Sequence, residues 1–217
     1  MYNLKYFKKI INVNLITCSI IPFLILGPFF PDLIISISAL FFLYHLLKNK
    51  NFYFIKKAPL IIFFVFWIVS IISSLLSDDI SLSLKSSFFY FRIGLFACFI
   101  WYLIDKDRNI INYFYYSLVT CFLVLVIDGY FQYFNGENLF GIKIDSSLRI
   151  SSFFKDELIL GSYLSRLFPL LFALFLIKKK QKFETYLIGL LFILVDVLIY
   201  LSGERAAFFF LNLSTIF

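Results

Sequence analysis

Long apolar blocks separated by short polar segments run the length of this chain. The blocks cover roughly residues 10–30, 33–47, 58–76, 86–104, 110–134, 158–177 and 184–201, and another begins near Ala206. They are apolar on all sides, with neither the one-sided stripe of a helix packed on a soluble core nor the alternation of a half-buried strand. A spanning helix needs about 20 such residues. Backbone polar groups in hydrocarbon must be satisfied within the chain, so each block is a helix or part of a closed barrel. Barrel strands would read as alternating segments of roughly ten residues, and these blocks are longer and continuous. The pattern predicts an all-α fold, a polytopic transmembrane helix bundle of about seven complete spans plus the start of an eighth. It reads as a single transmembrane domain over residues 1–217. Pro31 and Asp32 mark a tight turn that makes the first two blocks a hairpin, and residues 135–157 form the longest polar loop. The last block, from Ala206 to Phe217, would reach only about 18 Å as a helix, against roughly 30 Å of hydrocarbon. This predicts that the sequence is the N-terminal portion of a longer protein.

Composition sharpens the picture. The chain is 62% hydrophobic, 22% aromatic and only 15% charged, with a mean hydropathy of +0.93. Soluble domains carry about a quarter charged residues. The net charge of +7 does not signal nucleic acid, because the basic residues sit in short clusters between apolar blocks. Clusters there set membrane orientation. Thirteen of the 20 basic residues (Lys5, Lys8, Lys9; Lys48, Lys50, Lys56, Lys57; Lys106, Arg108; Lys178, Lys179, Lys180, Lys182) fall on one side when the blocks alternate. Five (Lys85, Lys143, Arg149, Lys155, Arg205) fall on the other, and Arg92 and Arg166 lie within spans. The N-terminus is therefore predicted inside. The first apolar run follows three lysines but is too long for a signal-peptide core and lacks a small-residue cleavage site, so it reads as an uncleaved span. Cys18, Cys98 and Cys121 lie inside apolar blocks without CxxC spacing and read as small buried residues. His45 reads as an interfacial residue at the inner end of the second block. No P-loop, GxGxxG or HExxH occurs, so no cofactor and no metal are expected.

Ionisable residues inside spans cost about 2.5–3.5 kcal/mol each on insertion scales, so each needs a reason. Arg92, Arg166, Asp128 and Asp196 fall within blocks, and Arg149, Glu204 and Arg205 lie at or near outer ends. None falls in the inner half of a span. This predicts a polar cavity open to the outer side. Arginine keeps its charge when partly desolvated and presents a planar fork of donors to phosphate or carboxylate oxygens. An anionic lipid headgroup or a diphosphate leaving group suits such a cavity. The plainer alternative is that the intramembrane charges pair across the bundle and hold helices together.

Three stretches in order carry a resemblance. They are Asp128-Gly-Tyr-Phe-Gln132-Tyr-Phe134, then Arg149-Ile-Ser-Ser-Phe153 ahead of Gly161-Ser-Tyr-Leu-Ser165, then Ser202-Gly-Glu-Arg205-Ala-Ala-Phe208. Together they resemble the O-antigen ligase and O-antigen polymerase family of bacterial inner-membrane proteins. There an aromatic-Gln segment leads from a span into an outer loop, an Arg-x-x-Gly/Ser-Phe segment introduces the next span, and a Ser/Thr-Gly-x-Arg-x-Ala/Gly segment follows at an outer end. Asp156-Glu157 departs from the family's Asn or Pro-Asn, and the family's large periplasmic loop would lie beyond Phe217.

The resemblance implies a metal-independent, glycosyltransferase-type ligase or polymerase with its active face periplasmic. Its implied partners are an undecaprenyl-diphosphate-linked glycan donor, a glycan or lipid A-core acceptor and membrane lipid. Nucleic acid is not among them. Arg205 and Glu204 are the implied catalytic residues, and Arg149, Arg166, Arg92, Asp128 and Gln132 the implied substrate-binding set. Two other classes compete. One is a transporter of lipid-linked sugars or organic anions, which should carry charge into the inner halves of its spans. The other is a non-catalytic membrane subunit or an inactive fragment.

Overall fold

The computed structural model describes residues 13–50, 53, 56–144, 149–154, 157–178 and 182–216. The start of the first predicted span, and Lys5, Lys8, Lys9, Lys155, Asp156, Lys179 and Lys180, lie outside the described residues. The chain is about 82% helical with no strands among the described residues, as an all-α bundle requires. The helices are α1 (Val13–Leu26), α2 (Phe29–Asn49), α3 (Ala58–Leu75), α4 (Ile80–Phe88), α5 (Phe91–Lys106), α6 (Asn109–Asn135), α7 (Leu160–Ile177), α8 (Lys182–Leu201) and α9 (Arg205–Ile216). Six helical stretches are long and apolar enough to cross a membrane, with α4 and α5 counted together as Ile80–Lys106.

Much of this apolar surface faces outward. On α3, with a mean hydropathy of 2.4, only Leu60 and Ser74 are buried, while Ile62, Val65, Phe66 and Val69 are exposed. In water such a surface would be an aggregation liability; against lipid it is the expected state.

Two predicted boundaries are corrected. The first turn lies at Gly27-Pro28, where Gly27 has φ +125°, and not at Pro31-Asp32. Pro31 instead sits within the first turn of α2, where its missing N–H would have had no helical partner. The second block therefore makes a helix of 21 residues rather than a short one. The fourth block also begins earlier than residue 86. Asp79 caps α4 by accepting from the Leu82 N–H at 3.1 Å, so the serine-rich segment from Ile80 is helical before the break at Phe89-Tyr90. The Trp67 indole donates to the Ser87 and Phe88 carbonyls, at 3.1 and 3.2 Å, and so occupies groups that the break frees.

The helices gather into two compact units. The first holds Phe29–Ile110 with the described residues up to Thr17; the second holds Cys18–Pro28 and the chain from Ile111 onward. In the second unit α6, α7, α8 and α9 surround a core that includes Leu118, Phe122, Leu125, Leu164, Leu171, Leu198 and Leu211. Close approach is needed there: a Cβ on Gly129 of α6 would stand 2.7 Å from the Leu198 side chain of α8. The second unit carries all the candidate residues except Arg92.

Candidate functional site

The site is built on the end of α6. Asp128 and Gln132 are one helical turn apart, share a face, and are fully buried. Both face the loop that follows. Asp128 accepts from the Leu139 N–H at 3.0 Å and from the Ser152 hydroxyl at 2.5 Å. Gln132 accepts from the Ser151 and Ser152 N–H groups, at 3.2 and 2.8 Å, and donates to the Ile142 carbonyl at 3.3 Å. Asn138 closes the arrangement by donating to the Ser152 carbonyl and accepting from the Phe140 and Ile142 N–H groups. Buried polar atoms left unpaired are costly, and here the loop backbone supplies their partners. Ser152 is held at φ +51°, a conformation that few residues other than glycine adopt freely. Asp128 and Gln132 thus hold the loop and are not among the residues lining the cavity at Arg149 and Arg205.

That loop delivers Arg149. Its Nε donates at 3.0 Å to the Ser202 carbonyl, at the turn between α8 and α9. Gly203 lies beneath it at φ +72°, and a Cβ there would stand 2.7 Å from the same nitrogen. Glycine is required at this position twice over, by backbone conformation and by space. With Nε engaged, the two Nη groups have no partner among the described residues.

Glu204 faces the other way. Its Oε1 accepts from the Gly161 N–H at 2.6 Å, and its Oε2 accepts from the Ser162 N–H at 2.9 Å and the Ser162 hydroxyl at 2.5 Å. It occupies two donors at the N-terminus of α7 that no helical carbonyl could satisfy, and its charge complements the helix dipole there. A Cβ on Gly161 would stand 2.8 Å from the Ser202 hydroxyl and 3.0 Å from Glu204 Oε1, so this joint also depends on a glycine.

Arg205 begins α9, exposed and without a partner among the described residues. It lines an open cavity of about 630 Å³ with Arg149, Glu204, Gly203, Tyr200, Ile199 and Phe208. The structure thus brings Arg149 from one segment of the sequence to the adjacent pair Glu204 and Arg205 in another. The Glu204 carboxylate is tied to α7, so the donors left for a ligand belong to the two guanidinium groups. Such a pocket favours a multiply charged oxyanion. Among the described residues no group of three His, Cys, Asp or Glu side chains is disposed to hold a metal ion.

The other predicted residues lie elsewhere. Arg92 is in the first unit, where it pairs with Asp32 at 2.6 Å and donates to the Ser36 hydroxyl at 2.9 Å. Asp196 accepts from Asn212 at 3.0 Å, linking α8 to α9. His45 contacts the Tyr102 hydroxyl at 3.1 Å in the first unit. Arg166 is exposed on α7, away from the cavity lining. Sequence reasoning missed Asn138 and Tyr200. Asn138 had a local signal, an asparagine three residues before Gly141 in a polar loop, which is turn chemistry. Tyr200 had none in so aromatic a chain.

No protein-family model matches this chain, and neither a curated protein nor a solved structure does.

Proposed function

We propose that this chain is a glycan ligase or polymerase of the bacterial inner membrane, acting at the periplasmic face on undecaprenyl-diphosphate-linked O-antigen-type sugars for lipopolysaccharide or surface polysaccharide. The observation that carries this reading is the convergence of Arg149 and Arg205 on one open cavity, where both keep donors unused. The distribution of basic residues supports the assignment of this end to the outer side.

In the proposed reaction an acceptor hydroxyl oxygen attacks the anomeric carbon of the donor sugar, and the bond from that carbon to the diphosphate oxygen breaks. Undecaprenyl diphosphate leaves with the bonding pair. Arg149 and Arg205 stabilise the charge that develops on the leaving diphosphate; guanidinium groups already in place do this without reorganising. The hydroxyl proton passes to Glu204, a carboxylate that lines the cavity and retains an unused lone pair on Oε1.

The test is Arg205→Ala in the protein expressed from its own gene. Polymer transfer is expected to fall to background while membrane insertion and abundance stay normal. Arg205→Lys should recover only part, because an ammonium lacks the planar fork. Full transfer with Arg205→Ala would remove this arginine from the mechanism.

A further inference from the structure

We propose that α7, α8 and α9 form a binding site for an anionic phospholipid, with its phosphate on Arg166 and one acyl chain in the cleft beside it. The proposal is independent of the glycan reading. Arg166 is an exposed cation within a membrane-length apolar helix, and no described residue partners it. Its neighbours on the helix surface, three and four residues away, are Ser162 and Tyr163 on one side and Pro169 and Leu170 on the other, and Ser162, Arg166 and Pro169 form one stripe. Continued along α7, the stripe passes Ala173 and Leu176. Pro169, Ala173 and Leu176 line an open cleft of about 670 Å³, closed on its other sides by Ile188, Gly189 and Phe192 of α8 and by Ser214 and Thr215 of α9.

Polarity along this stripe matches a lipid. Side chains on a helix lean toward its N-terminus, and a long arginine carries its charge toward the polar boundary while its stem stays in apolar surroundings. The cleft begins on the opposite side of Arg166, toward the C-terminal end of α7. A headgroup phosphate at Arg166 therefore leaves its chain running down the stripe into the cleft. The volume lies within the range of about 300–1,000 Å³ typical of small-molecule sites. An unpaired arginine facing hydrocarbon is costly, and a lipid phosphate supplies the missing partner from the solvent the helix already meets.

Chain-labelled nitroxide lipids in phosphatidylcholine nanodiscs containing the protein provide the test. Labelled phosphatidylglycerol is expected to show an immobilised spectral component several-fold larger than labelled phosphatidylcholine does. Arg166→Gln should abolish that headgroup difference, and Arg166→Lys should preserve most of it. A Cβ at Gly189 meets nothing within 4 Å, so Gly189→Leu can fill the cleft without a backbone clash. It should remove the excess immobilisation of labelled phosphatidylglycerol over phosphatidylcholine, while Gly189→Ala retains it. Arg205→Gln, although it removes a guanidinium assigned to transfer, should leave this headgroup difference in place. Three results would overturn the proposal: a headgroup difference that survives Arg166→Gln, its loss in Arg205→Gln, or an undiminished headgroup difference in Gly189→Leu. Displacement of labelled phosphatidylglycerol by undecaprenyl phosphate would also overturn it, by making the cleft a carrier-lipid site.

Discussion

Arg149 donates through Nε to the carbonyl of Ser202, 53 residues further along the chain, and it does so across the bare backbone of Gly203. One guanidinium thereby fixes the turn between α8 and α9, while its remaining donors stay at the cavity that Arg205 also lines. The cavity's cationic character and the geometry of that turn are consequently one property.

Gly203→Ala is therefore expected to act on both. The added Cβ collides with Arg149 Nε, and alanine is strained at φ +72°. We expect a stability loss of about 1–2 kcal/mol, from backbone strain and the displaced hydrogen bond. Transfer should fall at least as far as in Arg149→Ala. Thermal unfolding in detergent and a transfer assay in membranes check the two halves. An unchanged melting temperature would show that Arg149 does not hold the turn.

Asp128 controls the loop from beneath. Asp128→Ala leaves the Leu139 N–H and the Ser152 hydroxyl without their buried acceptor, at a cost of about 1–3 kcal/mol. Asp128→Asn keeps one amide oxygen for Leu139 and should cost less. If Asp128 positions the loop, proteolysis between residues 135 and 157 should quicken in Asp128→Ala, and transfer should fall in proportion. Lost transfer with an intact, protected loop would instead place Asp128 in contact with substrate.

At the far end of α7, Lys178 donates to the Tyr116 hydroxyl at 2.9 Å, lies 3.4 Å from Glu184, and sits over the Tyr115 and Tyr116 rings. Burial by itself lowers its ammonium, but the hydrogen bonds to Tyr116 and Glu184 and the Glu184 charge outweigh it, and the pKa is raised from 10.5. A folded pKa above the unfolded one contributes stability that is complete below about 10.4 and is lost as pH rises through the folded value. Lys178→Met should remove that part of the alkaline loss and leave the neutral-to-acid profile unchanged. Unfolding midpoints measured from pH 9 upward test this.

The apolar blocks were legible because hydrocarbon imposes a simple rule on composition, and the helices follow them closely. Boundaries failed where local chemistry overrode hydropathy. Ile80–Phe88 is too rich in serine to read as part of a span, yet the Asp79 cap starts it. Pro31 looked like a turn residue because proline is tolerated equally in a turn and in the first turn of a helix. The ordered segments around Arg149 and Arg205 hold the three charges that line the candidate cavity. What they could not reveal was direction. Asp128 and Gln132 read as ligands for a substrate but are turned into the loop, and the acceptors and donors they meet lie up to 24 residues away.

Glu204 poses the same question of direction. Its two oxygens hold three donors of Gly161 and Ser162, at the start of a helix 42 or 43 residues earlier in the chain. It also lines the cavity. An anchor and a proton acceptor respond differently to substitution. Glu204→Ala removes both functions and should destabilise the protein by about 1–2 kcal/mol, the usual range for a lost helix cap. Glu204→Gln keeps one oxygen for the Gly161 N–H and nearly the same shape, but it turns an NH2 toward the Ser162 N–H and its amide is not a base. If Glu204 takes the acceptor proton, Glu204→Gln should unfold at a higher temperature than Glu204→Ala yet lose transfer by 10²-fold or more, within the range of about 10²–10⁴ typical of general acid–base catalysis. If transfer in Glu204→Gln stays within a few-fold of wild type while Glu204→Ala unfolds early, the residue is an anchor only. The proton must then go to another group, and the cavity's contribution reduces to the two arginines.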